Sequence, residues 1–153
     1  MCSILRAVPE PTTSTHTIEF PYTRTLGPVV GPFLTGLKRG TLLGIRNRDG
    51  RVLVPPLEWD PATGEPLAVD LVEVGPGGTV DTWAWVEHPT RKHPLDRPFA
   101  FALIRLDGAD TGLLHAVDAG SMDRMRTGMR VAARWKDERV GHITDLAFVP
   151  EDA

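Results

Sequence analysis

Five short runs between residues 79 and 149 decide the fold, and four of them are Thr79-Val-Asp-Thr-Trp-Ala-Trp-Val86, Phe99-Ala-Phe-Ala-Leu-Ile-Arg-Leu106, Leu113-Leu-His-Ala-Val117 and Met129-Arg-Val-Ala-Ala-Arg-Trp135. They are rich in β-branched and aromatic residues, and turn signals separate them at the spacing of a small all-β barrel. The fifth run, Ile143 to Val149, should end before Pro150, because proline has no N–H to donate to a strand ladder. This stretch therefore predicts a β-barrel.

Length, composition and charge limit the classes of function. With 153 residues, 41% of them hydrophobic, the chain suits one domain with an appendage. A net charge of -3 supplies no general attraction to phosphate, so we expect no nucleic-acid partner. Cys2 is the only cysteine, which excludes an internal disulfide framework and a thiolate-rich metal site. No apolar run approaches the roughly 18 residues of a membrane helix, and no signal pattern is present, so we expect a cytoplasmic protein.

Residues 1–22 are predicted to form a flexible tail, because they are polar and proline-containing and have little apolar surface to offset the entropy of ordering. If the tail orders, Ile18, Phe20 and Tyr22 are the expected anchors. The next region, from Val29 to Arg39, has apolar residues at helical spacing, with Gly40 as a stop. Pro32 narrows the predicted helix to residues 32–38, since proline is tolerated in a first helical turn.

Two turn signals follow the helix, at Arg48-Asp49-Gly50-Arg51 and at Asp60-Pro61-Ala62-Thr63-Gly64. Glycine accepts positive φ and proline pre-sets the first turn residue, so both segments are predicted to form tight knuckles around the short β run Val52–Val54. The stretch Leu67 to Val74 is then expected to supply the first strand of the barrel. Gly75-Pro76-Gly77-Gly78 should turn that strand into the next one, and it lacks the residues of a phosphate-binding loop.

The predicted strand 79–86 carries two tryptophans on one face, because side chains alternate along a strand. By this alternation Val80, Thr82, Ala84 and Val86 share one face, and Asp81, Trp83, Trp85 and Glu87 share the other. Trp83 and Trp85 either fill space beneath the lead-in segment or form a binding surface.

The loop after this strand, residues 87–97, is the most basic stretch of the chain. It could meet an anion, and a solvated loop is the alternative. Its two histidines, His88 and His93, do not suggest a metal pair, because a proline follows each and a third ligand is absent.

No catalytic constellation is readable in the remaining runs. His115 stands between Leu113 and Val117 on one strand face, where we expect a hydrogen-bonded core histidine instead of a general base, since no nucleophile motif accompanies it. The segment Ser121 to Arg126 is predicted to form a short helix, with Met122 and Met125 packing inward.

The order and spacing of several motifs carry a resemblance to a known family. These motifs are Phe33…Gly36-Leu37…Gly40…Leu42, Asp49-Gly50-Arg51-Val52…Pro55-Pro56, Asp60-Pro61…Thr63-Gly64, Gly77-Gly78-Thr79-Val80, Pro98-Phe99, Leu106-Asp107-Gly108 and Thr127-Gly128-Met129-Arg130-Val131. Together they resemble thiolase-associated proteins that join a helical lead-in and a zinc-ribbon-like segment to an OB-fold barrel. The resemblance implies a mainly β fold, with a tail at 1–22, the lead-in and a degenerate ribbon at 23–66, and the barrel at 67–153.

The chain departs from this family at the metal site. Two Cys-x-x-Cys knuckles are common in the family, and they would fall on Arg46, Asp49, Asp60 and Thr63. Structural zinc needs about four Cys or His ligands, so we expect no zinc and no other cofactor. We expect turn hydrogen bonds, packing of Leu57 and Trp59, and pairing of Arg46 or Arg48 with Asp49 or Asp60 to hold the knuckles instead. A calcium loop is the alternative, although the acidic residues lack the EF-hand spacing.

Four further stretches sharpen the resemblance: His93–Pro98, Leu106–Asp110, Leu114–Asp118 and Arg139–Ile143. They look most similar to a subgroup in which this domain accompanies, or is fused to, a MaoC-like hydratase. That subgroup supports a thiolase-like retro-aldolase that shortens steroid side chains as CoA thioesters. By this resemblance the chain is a non-catalytic subunit of a carbon–carbon lyase complex, in which it supports the active site of its partner or completes an acyl-CoA channel.

The resemblance also suggests site residues. Expected partner contacts are Leu57, Trp59, Trp83 and Trp85, because large exposed apolar groups mark interfaces, with core packing as the alternative. Expected CoA-phosphate contacts are Arg91, Lys92 and Arg97. Two other classes of function remain open: an autonomous acyl-CoA-binding module, and an OB-fold module for single-stranded nucleic acid, which the acidic flanks Asp81 and Glu87 disfavour.

Overall fold

The computed structural model describes residues 14–19 and 25–152. Its elements are α1 (Gly27–Arg39), β1 (Leu42–Arg46), β2 (Val52–Leu53), β3 (Leu71–Val74), β4 (Gly77–Val86), β5 (Phe99–Leu106), β6 (Gly112–Val117), β7 (Arg130–Trp135) and β8 (Leu146–Pro150), with 3-10 turns at Met122–Arg124 and Ile143–Asp145. Most of the predicted tail, including Phe20 and Tyr22, lies outside the described residues. Ile18, the third expected anchor, is exposed.

Helix α1 is longer than the predicted segment 32–38. It begins at Gly27, and Pro28 in its first turn supplies a fixed φ suited to a helix start. Pro32 lies inside the helix, where its missing N–H removes a single bond, the one to the carbonyl of Pro28. The predicted stop is confirmed, since Gly40 has φ 78° and its N–H bonds to the last turn. No helix among the described residues is long and apolar enough to cross a membrane.

Strands β1, β2 and β3 form a separate antiparallel sheet in the order β2-β1-β3. The prediction that Leu67 to Val74 begins the barrel is therefore wrong: β3 pairs with β1 over residues 42–45, before the chain turns at Gly75. Gly44 permits the close approach of β2, because a Cβ atom there would lie 2.7 Å from the Val52 side chain. We call this unit, with its two turns, the knuckle sheet. The knuckle sheet is compatible with the predicted degenerate zinc ribbon. The expected domain boundaries, at residues 22/23 and 66/67, stay a prediction.

The remaining strands form a closed barrel in the order β4-β5-β6-β8-β7. All neighbours are antiparallel except β6 and β8, which are parallel. Phe99, Ile104 and Phe148 are fully buried inside it. The predicted barrel and the mainly β fold class are confirmed. The fifth run differs in detail, because Ile143–Asp145 is a 3-10 turn and Pro150 is the last residue of β8, paired with Val131.

A β-bulge in β4 changes the predicted faces of the tryptophan strand. The register against β5 shifts between Val80 and Thr82, so the simple alternation is interrupted. Val80 is buried in the core cluster against which Trp83 and Trp85 pack, whereas Thr82 is exposed. The assignment of Val80 to the face opposite the tryptophans is therefore wrong. Both indoles are half-buried against the barrel core.

The predicted helix at residues 121–126 is reduced to the 3-10 turn Met122–Arg124. The backbone becomes extended at Met125, which is buried, so the two methionines point in different directions. The expectation that both pack inward is wrong for Met122, whose exposed fraction is 51%.

The knuckle sheet and the barrel share one hydrophobic core. Phe33 and Leu37 of α1 belong to the same buried cluster as Val131 and other barrel residues. The turn between β5 and β6 also bonds the edge strand β2: the N–H of Val52 donates to Asp110 Oδ2 at 2.7 Å. The N–H of Asp110 donates back to the Val52 carbonyl at 2.8 Å. The two parts are therefore held together by both apolar packing and hydrogen bonds.

We expect Phe148→Ala to lower the free energy of unfolding by about 3–5 kcal/mol, because it leaves a cavity in the barrel core. Leu114→Ala is the matched control, since Leu114 is 65% exposed on the neighbouring strand and its truncation should change stability by less than about 0.5 kcal/mol. Urea unfolding of both variants measures the difference. Equal midpoints would contradict this placement of Phe148.

Candidate functional site

A buried side chain organises each knuckle. The Asn47 Oδ1 atom accepts hydrogen bonds from the N–H groups of Asp49 at 3.1 Å and Arg51 at 2.9 Å. In the second knuckle the N–H of Ala62 donates to Asp60 Oδ1 at 2.8 Å. The two knuckles are joined directly, because Asn47 Nδ2 donates to Asp60 Oδ2 at 3.1 Å. The Ala62 N–H, together with the Asn47 amide, lowers the pKa of Asp60 below its ordinary value.

The knuckles do not offer a fitting ligand set for zinc. Arg46 lies 3.5 Å from Asp70 and Arg48 pairs with Glu65, so the predicted pairing of these arginines with Asp49 or Asp60 is wrong. Within the described residues, no group of three or more His, Cys, Asp or Glu side chains could hold a metal ion. The sequence analysis missed Asn47, although an Asn-x-x-Gly turn is a recognisable signal for side-chain bonding to the backbone.

Apolar side chains are exposed near the start of α1 and at the second knuckle. Leu57 is 38% exposed and Trp59 is 58% exposed, and Leu26, just before α1, and Val30 of α1 are exposed as well. The segment and α1 are adjacent, because Glu58 lines a cavity of about 480 Å³ together with Leu26 and Val30. We call Leu26, Val30, Leu57 and Trp59 the knuckle surface.

The structure separates the four predicted partner contacts into two pairs. Leu57 and Trp59 are exposed, whereas Trp83 and Trp85 are half-buried and pack against the barrel core. The Trp85 indole N–H also donates to Glu87 at 2.6 Å. Only the first pair presents apolar side chains freely to solvent, and its contact with a partner stays a prediction.

A second candidate site lies on the barrel beneath the loop of residues 92–97, and we call it the barrel groove. One end is a cavity of about 260 Å³ with an apolar wall made of Phe101, Leu114 and Ile143. The other end is a cavity of about 230 Å³ whose charged lining residues are Arg97, Arg134 and Lys136. Thr144 lines both cavities, so they are neighbours.

The groove contains two of the three predicted phosphate contacts. Lys92 lines the apolar end and Arg97 lines the cationic end, whereas Arg91 is exposed and lines neither cavity. Arg97 donates to Asp118 Oδ2 at 2.5 Å, and Arg134 donates to the same oxygen at 2.6 Å. The bond from Arg97, and to a smaller extent the bond from Arg134, holds the pKa of the Asp118 carboxyl below its usual range.

The groove also depends on residues that the sequence analysis did not single out. Asp145 accepts hydrogen bonds of 2.7–2.9 Å from the N–H groups of residues 140–142, which sets the 3-10 turn that carries Ile143 and Thr144. Burial alone would raise the pKa of Asp145, but these three bonds lower it overall. His142 and Asp145 form a capping box around this turn, but they lack the usual Ser/Thr and Glu/Gln signature that would have revealed it from sequence. Arg134 and Lys136 lie at the end of β7, where no local sequence signal marks them as part of a site.

His115 forms part of the wall of the apolar end. Its Nδ1 atom accepts from the N–H of Ala116 at 2.9 Å, and its Nε2 atom lies 3.1 Å from the Ile143 carbonyl. This pattern requires the neutral tautomer with a proton on Nε2. Burial lowers the pKa of His115, which agrees with a neutral ring. The prediction of a hydrogen-bonded core histidine is confirmed.

Comparison with known proteins supports the resemblance of the barrel. Residues 71–136 match the family described as "ChsH2, C-terminal OB-fold domain". The matched segment includes strands β3 to β7 and covers less than half of the chain. The resemblance to thiolase-associated OB-fold proteins is thus confirmed for this segment. A search of curated protein sequences finds no match.

Solved structures extend the likeness beyond the matched segment. A chain of the structure "Ltp2-ChsH2(DUF35) aldolase" superposes with a TM-score of 0.62 at 21% identity, covering 84% of this chain and 98% of that one. A protein of unknown function from the DUF35 family of Sulfolobus solfataricus gives a TM-score of 0.61 at 20% identity, covering 82% of this chain and 87% of that one. At this identity the likeness shows a shared fold.

We expect Asn47→Ala to lower the free energy of unfolding by about 1–3 kcal/mol, because it leaves buried polar groups in both knuckles without partners. Arg48→Gln is the matched control: it removes an exposed ion pair of the first knuckle and should cost at most about 1 kcal/mol. Thermal unfolding measures both. We also expect a chelator to leave the midpoint of the wild type unchanged, and a lowered midpoint would mean that a metal stabilises the knuckles.

A second prediction concerns pH. Because the pKa of His115 is lower in the folded than in the unfolded chain, the unfolded chain binds more protons as pH falls below about 6.5. His115 should therefore reduce stability below that pH and have no such effect above it. We expect His115→Gln to lose less stability than the wild type between pH 7.5 and 5.5 in urea unfolding. Leu114→Ala should keep the wild-type dependence, and an unchanged dependence in His115→Gln would refute the assignment.

Proposed function

We propose that this chain is a non-catalytic subunit of a hetero-oligomer with a thiolase-like aldolase. The observation that carries the proposal is the likeness to a chain of the Ltp2-ChsH2(DUF35) aldolase, which spans 98% of that chain. The match of residues 71–136 to the ChsH2 OB-fold family supports the same assignment. The structural match covers 84% of this chain, and the family match includes strands β3 to β7.

The knuckle surface is the proposed contact with the aldolase. Trp59 and Leu57 are large apolar groups exposed beside the N-terminus of α1, and tryptophan is among the residues that most often dominate binding energy at interfaces. Asp60, which follows Trp59, is hydrogen-bonded to Asn47 and Ala62, so binding requires little ordering of this segment.

The proposed reaction of the complex is retro-aldol cleavage of an acyl-CoA thioester in steroid side-chain degradation, with a MaoC-like hydratase as a further partner. This reaction is supported by the resemblance of stretches such as His93–Pro98 and Leu114–Asp118 to the subgroup that accompanies a MaoC-like hydratase and a retro-aldolase. In this role the reacting groups belong to the aldolase, and the chain supports the active site or completes a channel for the acyl-CoA. The buried His115 fits this division, because backbone groups occupy both of its ring nitrogens.

The second candidate function is an autonomous acyl-CoA-binding module. The observation that favours it is the barrel groove, in which Lys92 and Arg97 lie beside apolar side chains. Such a module would bind a CoA thioester without any partner.

The test is co-expression with the thiolase-like protein from the same source, followed by size-exclusion chromatography and a retro-aldol assay on a steroid-CoA substrate. We expect joint elution and cleavage that needs both chains. Separate elution, with full activity from the partner alone, would refute the accessory role and leave the binding module as the leading candidate.

Variants of the knuckle surface test the proposed contact. We expect Leu57→Ser combined with Trp59→Ala to weaken association at least about tenfold, because interface anchors carry most of the binding energy. Met122→Ser is the matched control, since Met122 is an exposed apolar residue outside the knuckle surface. If the complex forms and these variants bind as tightly as the control, the contact lies elsewhere while the subunit role stands.

A further inference from the structure

The two ends of the barrel groove differ in chemistry although they are neighbours. Every charged side chain that lines the cationic end is positive, namely Arg97, Arg134 and Lys136. The apolar end is lined by Phe101, Leu114 and Ile143. Thr144 lies between them and lines both. An occupant that satisfies the whole groove must therefore combine a negative group with an apolar chain.

Asp118 prepares the cationic end. Its side chain is only 7% exposed, and one oxygen accepts from both Arg97 and Arg134, at 2.5 and 2.6 Å. One carboxylate thus orients two guanidinium groups and leaves their other N–H donors to face the cavity or solvent. Because each guanidinium has five N–H donors, both arginines can still bind a second acceptor.

Other carboxylates near the cationic end do not occupy it. Asp96 lies 3.7 Å from Arg97, with a side chain that is almost fully exposed. Asp145 influences Lys136 electrostatically, but its Oδ2 atom is bonded to backbone N–H groups. Lys136 makes no ion pair with any residue that the structure describes. The cavity lining itself therefore offers an anion three cationic side chains and no carboxylate.

The apolar end is also built in advance. Leu114 is largely exposed on β6 and Ile143 is exposed beside it, so two branched apolar side chains face solvent at one place. The His115 bond to the Ile143 carbonyl and the Asp145 bonds to residues 140–142 hold this wall in position. The volumes of the two cavities together fall within the range of small-molecule sites, about 300–1,000 Å³.

We propose that the barrel groove binds an amphipathic anion, with an acyl or alkyl chain against Leu114 and Ile143 and a phosphate or carboxylate group against Arg97, Arg134 and Lys136. This site belongs to the chain itself and requires no partner. It rests on the second candidate function and deepens it: Arg97 was expected from the sequence, and the structure adds Leu114, Ile143, Arg134 and Lys136.

The experiment titrates the isolated chain with octyl phosphate below its micelle concentration and follows backbone amide signals by NMR. We expect saturable shifts at Leu114, Ile143 and Arg134 together, and an affinity at least about tenfold higher than for 1-octanol or for inorganic phosphate, because charge-assisted bonds and apolar contacts act at once. Octanoate is titrated as a second ligand, in which a carboxylate replaces the phosphate. Tighter binding of octyl phosphate or of octanoate than of 1-octanol supports the site. Equal binding of octyl phosphate and 1-octanol, or shifts outside the groove, would overturn it.

Variants separate the two ends. Arg134→Gln combined with Lys136→Gln should reduce octyl phosphate binding by about tenfold or more and leave 1-octanol binding unchanged. Lys136→Gln alone should give a smaller loss in the same direction, and it leaves the Asp118 bonds intact. Leu114→Asn should weaken both ligands. Arg105→Gln is the matched charge control, since Arg105 pairs with Asp81 outside the groove. Equal effects of this control and of the groove variants would also overturn the proposal.

These measurements use the chain without its partner. A negative result therefore removes the groove as a binding site and leaves the accessory role to be decided by the co-expression experiment. Conversely, failure of complex formation does not affect the titration.

Discussion

The parallel contact between β6 and β8 is the constraint on which the barrel and its groove depend. All other neighbouring strands of the barrel are antiparallel, whereas β6 and β8 meet at one register pair, Val117 with Phe148. Phe148 is fully buried at this junction. A side-chain hydrogen bond also joins β6 to the 3-10 turn that precedes β8, from His115 to the Ile143 carbonyl. This turn carries Ile143 and Thr144, which line the groove beside the junction.

The knuckle sheet and the barrel act as one body, although each has its own sheet. The bonds between Val52 and Asp110 continue the edge of β2 onto the barrel, and the shared core fills the space behind them. This attachment holds the knuckle surface and the barrel groove at fixed positions on one rigid scaffold. A partner at one surface and a ligand at the other are thus compatible with each other.

Inside the knuckles, a hydrogen bond between Asn47 and Asp60 makes the link that a metal makes in zinc ribbons.

Much of the barrel was predictable because strand signals are local. The run 99–106 coincides with β5, and the glycines of the knuckle turns have the positive φ that their turn signals implied. The errors have physical causes. The β-bulge after Val80 breaks an alternation that assumes regular pairing, and residues 71–74 pair with β1 because the chain turns sharply at Gly75. The helix start at Gly27 was missed because Pro32 was taken as a boundary, although it removes only one helical bond.

The sequence by itself determined the class of fold, the positions of most strands and the loss of the thiolate ligands, since these follow from residue type and from periodicity over a few positions. Only the tertiary structure decided which charges meet. Asp118 is 21 residues from Arg97 and 16 from Arg134, and barrel closure brings all three together. The same holds for Asn47 and Asp60, 13 residues apart. Such pairs depend on strand order and register, which long-range packing selects and local sequence patterns do not encode.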